Sequence, residues 1–294
     1  MTSSGLLHRE GLHVGFVGSP LNRAEPLRRD SERLAGDPKA RLLVLEDYHP
    51  VVESGALATR PMPDLPLDQL ALIGLLDGAP LFAHIDPAAC AARRTAELMT
   101  LLGALPPSEG STYAAARSLL DWHARHRFCA NCGNPTAPIK AGWARQCPAC
   151  MAEHFPRTDP VVIMLAEHDD KVLVGRQAVF PPGRYSALAG FVEVGESVEE
   201  AVARELTEEA GVRATSVRYV VSQPWPFPSQ LMLACIAPVA DARITIDTAE
   251  LEDAKWVTRA EVRAGLDQSE GAAFLPPPPY AIANSLFEAW LAGA

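Results

Sequence analysis

A chain of mixed α and β structure in three modules, residues 1–110, 111–158 and 159–294, is what the sequence predicts. Its 294 residues exceed the usual size of one domain. Four of the 6 cysteines crowd between Cys129 and Cys150, separating two longer stretches in which extended and helical patterns interleave. The composition, 48% hydrophobic and 21% charged, belongs to a chain that buries sizeable cores and is not disordered.

In the first module Arg41–Glu53 is apolar and β-branched enough for a strand. Leu70–Asp86 reads as a hairpin turned at Asp77-Gly78, and Ala88–Gly103 as a helix ended by Gly103 and the Pro106-Pro107 pair. No chemical motif is visible there, and His8, His13, His49 and His84 stand singly as surface or packing residues. Alanine-rich Thr112–Arg127 is predicted to be helical and leads straight into Cys129. In the third module Val161–Ala166 and Lys171–Arg176 pair as a hairpin turned at Asp169-Asp170, and Ala187–Glu193 is extended. A helix over Ser197–Ala210 stops at Gly211. Strands at Val217–Ser222, Leu231–Val239 and Ala254–Thr258 follow, then a stiff Pro276–Pro279 linker and a closing helix, Ala281–Leu291.

A net charge of −10 argues against attraction of nucleic acid by bulk electrostatics, though it leaves room for a local basic site. No apolar run approaches the roughly 18 residues that cross a bilayer. MTSSGLLHRE lacks the pattern of a secretory signal and EAWLAGA matches no targeting signal, so a cytoplasmic protein is expected.

Cys129-x-x-Cys132 and Cys147-x-x-Cys150 are two pairs, while Cys90 and Cys235 stand alone. A two-residue gap lets both sulfurs of a pair reach one ion, and two such pairs supply a closed tetrahedral zinc site. Gly133 and Pro148 are the expected turn formers. Four ordinary thiols or a redox pair fit this grouping less well than zinc. With no open position the ion is expected to be structural. Arg125, Arg127, Lys140 and Arg145 make the module locally basic, which reads as a binding surface or, more commonly, as solvated charge.

In the predicted helix Glu205, Glu208 and Glu209 are spaced to share one face. Unpaired, three such carboxylates repel one another, and a solvated acidic helix is the common meaning of the pattern. A hard divalent cation, Mg²⁺ or Mn²⁺, would reverse the penalty, bridge a diphosphate and acidify water near neutral pH. Gly190 and Gly195 flank the approach, where the backbone turns and leaves room for a ligand, and Arg204 either fixes a glutamate or is a surface charge.

From Gly190 through Glu196, Arg204, Glu205, Leu206, Glu208, Glu209 and Gly211 to Val212 the spacing fits G-x5-E-x7-R-E-U-x-E-E-x-G-U, with U aliphatic, at every fixed position. The region closely resembles the Nudix hydrolases. The resemblance implies an α/β/α sandwich around a mixed sheet, hydrolysis of a nucleoside diphosphate linked to another group, and Mg²⁺ or Mn²⁺ as cofactor. After the box comes Ser222-Gln223-Pro224-Trp225-Pro226-Phe227-Pro228, whose alternating prolines read as a stiff extended loop and not a central strand. The loop holds Trp225 and Phe227 ready to meet a flat ring, or is simply a proline-braced core loop. With the cysteine cluster before the box, it resembles the NADH pyrophosphatase subfamily, whose signature SQPWPFPxS is matched except at Gln230, beside Ser229.

That resemblance implies the site. Glu205, Glu208, Glu209 and Glu250 would be metal ligands or catalytic carboxylates, with the Ala189 carbonyl as a further ligand. Phe155 (tyrosine in some members), Phe191, Gln223, Pro224, Trp225, Pro226, Phe227, Pro228, Ser229 and Gln230 would line the dinucleotide, with Ala283 near it. Locally, Glu250, Glu252 and Asp253 read as a solvated turn before Trp256; the resemblance selects Glu250, and a cation does need oxygens from more than one direction. The implied reaction splits NAD(H) to NMN(H) and AMP, related enzymes remove NAD caps from RNA, and a homodimer is implied. An ADP-ribose or nucleotide-sugar pyrophosphatase is the alternative within the class. A zinc-ribbon nucleic-acid-binding protein with a degenerate Nudix module is the alternative outside it.

Overall fold

The computed structural model describes residues 12–89 and 94–293, so His8, Cys90 and residues 90–93 of the predicted helix Ala88–Gly103 lie outside the described residues. Two compact units are present. One holds Phe16–Thr158 with Pro224–Ser229; the other holds residues 12–15, 159–223 and 230–293.

In the first unit strands β1 (Arg41–Leu43), β2 (Thr59–Pro61), β3 (Leu70–Leu76) and β4 (Ala79–His84) form a sheet in the order β2-β1-β4-β3. Asp77 and Gly78, at φ 50° and 82°, make the expected two-residue turn from β3 to β4. The predicted strand Arg41–Glu53 is broken instead. After β1 the chain folds into two short pairs, Leu45–Glu46 with His49–Pro50 and Val52–Glu53 with Ala56–Leu57. Asp47 and Tyr48, at φ 47° and 63°, turn the first pair without the glycine by which such turns are read.

Helix α1 (Ala96–Ala104) is capped by Thr95, whose Oγ1 accepts from the Leu98 N–H at 3.2 Å, so the predicted helix begins later than Ala88. Helix α2 (Pro107–Arg125) begins earlier than Thr112. Pro107 stands in the first helical turn, where a missing N–H goes unused anyway, so the proline pair that ends one helix opens the next. Strands β5 (Ala137–Ile139), β6 (Ala144–Gln146) and β7 (Glu153–His154) make an antiparallel ribbon. The ribbon packs on β3: Trp143 Nε1 donates to the Leu72 carbonyl at 2.6 Å, and a Cβ on Gly142 would stand 2.8 Å from Ala71.

In the second unit β8 (Asp159–His168), β9 (Lys171–Arg176), β10 (Leu188–Phe191), β11 (Arg218–Trp225), β12 (Gln230–Pro238) and β13 (Asp253–Thr258) build one sheet. Its order is β11-β12-β8-β9-β13, with β10 also on β8. Strand β8 runs parallel to β12 and antiparallel to β9 and β10, so the sheet is mixed. Helices α3 (Val198–Ala210), α4 (Arg259–Leu266) and α5 (Ile282–Leu291) complete the unit. Alternate residues of β8 face opposite sides. Val162, Met164 and Ala166 pack with Ala201, Val202 and Leu206 of α3. Ile163 and Leu165 belong to the other core, with Val262 of α4 and Leu286, Phe287 and Trp290 of α5. The result is an α/β/α sandwich.

Two elements of the second unit also depart from the reading of the sequence. Ser222–Trp225 belongs to strand β11 rather than to a loop; β11 is a sheet edge, the place in a sheet where proline is tolerated. Helix α4 has no counterpart in the prediction, although Thr258 and Glu261 form a capping box at its start.

Gln223 is fully buried, and its side chain ties three segments. Its Nε2 donates to the Gly15 and Tyr280 carbonyls at 2.9 and 2.8 Å, and its Oε1 accepts from the Ile282 N–H at 3.0 Å. Ser285 Oγ donates to the His13 carbonyl at 2.5 Å, so residues 12–15 pack with α5. No helix among the described residues is long and apolar enough to cross a membrane.

Candidate functional site

The four cysteines of the ribbon come together. Their Sγ atoms all lie within 4.8 Å of one another, with Cys129 and Cys150 3.6 Å apart and Cys132 and Cys147 3.4 Å apart. Thiolates about 2.3 Å from a zinc ion stand about 3.8 Å from each other, so these donors fit that ion. The two turns are built alike: the Gly133 N–H donates to the Cys129 carbonyl and the Met151 N–H to the Cys147 carbonyl, each at 2.9 Å. The positive φ falls on Gly133 (76°) and Met151 (60°), not on Pro148. Hydrogen bonds from Asn134, whose Nδ2 lies 3.4 Å from the sulfur, hold the Cys132 thiol down to about 6, favouring the anion a metal binds. With four protein thiolates and no open position, this is a structural zinc site.

The basic residues around it are partnered, with Arg125 and Lys140 also reaching solvent. Arg125 Nε donates to Asp121 at 2.5 Å, and Lys140 Nζ donates to Glu153 at 2.6 Å while lying 4.9 Å from the Phe155 ring centroid. Arg127 donates to the Ala124 and Ala89 carbonyls. Arg145 is buried, donating to the Thr136 hydroxyl and carbonyl, each at 2.7 Å, and to His123 Nδ1 at 2.9 Å. Burial pushes His123 down to about 4, so the ring is neutral: Nδ1 accepts from Arg145 while Nε2 donates to the Gly142 carbonyl at 2.7 Å. A phosphate backbone would have to displace these partners.

Helix α3 carries the glutamates. Its start is fixed by a reciprocal cap, Ser197 Oγ accepting from the Glu200 N–H at 3.2 Å and Glu200 Oε2 from the Ser197 N–H at 2.7 Å. Gly211, at φ 69°, closes its end. Arg204 organises the face. Its guanidinium reaches both oxygens of Glu196 at 2.7 and 2.9 Å, Glu205 at 2.7 Å and Glu208 at 3.0 Å. It also donates to the Phe191 carbonyl of β10 at 2.8 Å. This web explains the spacing of the motif: Glu196, held down to about 2 mainly by its hydrogen bonds from Arg204, anchors the arginine that positions the next two glutamates. Gly190 serves the same approach. A Cβ there would fall 1.8 Å from the Glu205 carboxyl carbon, so the glycine makes room for Glu205.

Glu209 differs from its neighbours. It is only 5% exposed, and burial, then the charges of Glu205, Glu250 and Glu208, push its carboxyl up to about 8. Among the described residues no ion pair compensates it. Such a cluster calls for positive charge, and oxygen donors suit a hard cation. The box carboxylates nonetheless stand wider apart than the cysteines: only the cysteines, among the described residues, bring three ligand atoms within 4.8 Å of one another. A hard divalent cation that keeps several waters and binds directly through one or two carboxylates suits that spacing.

Of the three acids before β13, two are tied locally. Glu252 pairs with Arg176 at 2.7 Å, and Asp253 accepts from the Tyr185 hydroxyl at 2.5 Å. Glu250 is exposed, and its charge is felt at Glu209. Ala189 lies beside Gly190 in β10, and Phe191 is 54% exposed. Gln223 has both amide hydrogens and its oxygen engaged internally, and Ala283 is 2% exposed inside the core under the sheet. Gln230 begins β12.

The other residues named by the family resemblance belong to the first unit. Phe155 is 58% exposed. At the end of β11 Pro224 is exposed and Trp225 half-buried, and in the turn that follows Pro226 is buried while Phe227, Pro228 and Ser229 are half-buried. The Trp225 and Phe227 rings meet edge to face at 5.2 Å, and each packs against Phe16, at 5.8 and 6.4 Å. Phe16 is invisible to the sequence reading, since it lies more than 200 positions from its partners with no motif around it.

A mixed sheet between helices, with the glutamate helix on one face and its arginine reaching back to the adjoining strand, defines a Nudix domain. The NUDIX domain model matches residues 156–276, and the NADH pyrophosphatase zinc ribbon domain model matches residues 124–155. The chain is 37% identical over 292 residues to "NAD-capped RNA hydrolase NudC" of Mycobacterium bovis, covering 92% of each. It is 45% identical over 203 residues to human "NAD-capped RNA hydrolase NUDT12", covering 66% of this chain and 44% of that one. It is 43% identical over 194 residues to mouse "NAD(P)H pyrophosphatase NUDT13, mitochondrial", covering 62% and 55%. The chain thus spans under half the length of the human relative. It belongs to the Nudix hydrolase family, in the branch that carries the NADH pyrophosphatase zinc ribbon.

Proposed function

We propose that the chain hydrolyses the pyrophosphate of NADH or NAD⁺ to NMN(H) and AMP, and removes NAD caps from RNA. The observation that carries the reading is Glu209, buried and uncompensated within reach of the Glu205, Glu208 and Glu250 charges, in a box whose arginine fixes its neighbours. The names of the mycobacterial, human and mouse relatives support the substrate class.

Glu205, Glu209 and Glu250, with the Ala189 carbonyl, would hold Mg²⁺ or Mn²⁺. When bound, the cation neutralises charge on the diphosphate and acidifies water. The chain's own part is positional and electrostatic. Arg204 keeps the Glu205 and Glu208 carboxylates fixed, and Glu209, ionised once positive charge is present, completes the catalytic set. Phe155, Phe191 and the turn from Pro224 to Ser229 supply flat rings and stiff backbone for the dinucleotide, while Gln223 braces the strand that leads into that turn. The reading includes a homodimer in the cytoplasm, which light scattering and fractionation test.

The deciding measurement compares turnover of NADH, NAD⁺, ADP-ribose and NAD-capped RNA with Mg²⁺ or Mn²⁺ and without either. Metal-dependent cleavage of NADH and of the cap is expected. Turnover of ADP-ribose alone would overturn the assignment.

A further inference from the structure

Arg117 lies outside both matched domain models, yet it is 1% exposed and holds the turn that carries Trp225 and Phe227. From helix α2 its Nε donates to the Pro226 carbonyl at 2.9 Å. Its Nη1 donates to the Tyr113 hydroxyl at 3.1 Å and to the Tyr48 carbonyl at 3.3 Å. The Cζ of the same guanidinium lies over the Phe227 ring, 4.8 Å from its centre.

The chemistry of the turn explains why it needs such a partner. Proline at 224, 226 and 228 removes every second backbone donor, so the turn has little with which to fasten itself. One internal backbone bond is present, from the Phe227 N–H to the Trp225 carbonyl at 2.9 Å. Pro226 is buried between those two residues, and a buried carbonyl without a donor is costly. Arg117 satisfies it, and in doing so fixes the residue that stands between the two ring-bearing positions. A planar fork holds several donors in fixed directions while its central carbon stands over an aromatic ring. Lysine lacks that shape.

We infer that Arg117 is a positioning residue for dinucleotide binding: it pre-organises the Trp225 and Phe227 rings by anchoring the Pro226 carbonyl. The inference rests on the reading of this turn as part of the substrate wall. Buried as it is, Arg117 acts through the turn and not by attracting phosphate. Ordering two aromatic side chains in advance of binding removes a cost that otherwise appears in affinity.

The test measures kcat and KM for NADH at saturating Mg²⁺ in the wild type, Arg117→Met, Trp225→Ala and the double variant. Arg117→Met is expected to raise KM about tenfold and leave kcat within about twofold. In the Trp225→Ala background the same change is expected to add less than about twofold, because the ring it positions is gone. Undiminished additivity, or a fall in kcat at constant KM, would overturn the inference. If Trp225→Ala raises KM and Arg117→Met does not, the inference alone fails. If Trp225→Ala leaves KM unchanged, the reading of the turn fails and takes the inference with it. Should Arg117→Met not fold, Arg117→Lys, which keeps the charge but loses the fork, carries the same measurement with the same expected outcome.

Discussion

The glutamate helix and the Trp225–Phe227 turn are held in place by opposite means. On the helix the organising groups come from one short run of chain: Arg204 reaches Glu196, Glu205, Glu208 and the Phe191 carbonyl. The turn supplies almost nothing of its own and is fastened by Phe16 and by Arg117, 109 positions away from Pro226 and itself held by Tyr48 and Tyr113. A web of charge written into one short run of strand, loop and helix must keep its spacing. A turn fastened from afar needs only the right shape to arrive, whatever segment brings it. The two regions should therefore respond differently to substitution, one in turnover and the other in affinity.

The largest effect tests the charged region. Glu209→Gln keeps the shape and removes the charge, and should lower kcat on the order of 100-fold or more at saturating Mg²⁺ with the fold preserved. Near-normal NADH hydrolysis would break the contrast at its stronger end. Next comes Cys147→Ser, which should release zinc and lower the melting temperature by about 10 °C, while any folded fraction keeps its turnover. About one zinc per wild-type chain is expected by metal analysis; finding none would remove the ribbon from the picture. Then Glu250→Gln should lower kcat by about tenfold. Glu252→Gln and Asp253→Asn should stay within about twofold, because their carboxylates are engaged with Arg176 and Tyr185. Equal and small effects for all three would return that segment to a surface turn.

The smallest effect concerns pH. With its carboxyl lifted to about 8, Glu209 keeps its proton in the folded chain after the unfolded chain has lost it. Metal-free protein should therefore lose stability as pH rises from about 5 to 8, and saturating Mg²⁺ should flatten that slope. Glu209→Gln should abolish the difference. A metal-free melting temperature that climbs over the same range would contradict the placement of that carboxylate.

The same contrast explains what the sequence made legible. The box and the cysteine pairs are spacings within one helix or one turn, and periodicity or ligand geometry translates directly into position there. Even Ser197 and Gly211 read correctly as helix ends. Arg204 could be noticed but not resolved, since whether an arginine pairs or solvates depends on where β10 lies. The Asp47-Tyr48 turn hid because its positive φ falls on residues that carry no turn signature. Ser222–Trp225 was misread because proline excludes a central strand but not an edge, and the edge is a property of the whole sheet. Helix α4 was readable from Thr258 and Glu261. Arg117 and Phe16 were not, because no local pattern announces a partner so distant in sequence.

Gln223 has a practical corollary for anyone dividing the molecule. The region matched as NUDIX runs from 156 to 276, but the amide of Gln223 fastens β11 to Gly15 at one side and to Tyr280 and Ile282 at the other. A fragment trimmed to the matched boundaries would lack the carbonyls of Gly15 and Tyr280, the N–H of Ile282 and all of helix α5, leaving a buried amide with no partners and an apolar sheet face open to water. The compact unit that holds this sheet is discontinuous in sequence, so excising it calls for a tether that carries residues 12–15 back to the sheet rather than a simple cut.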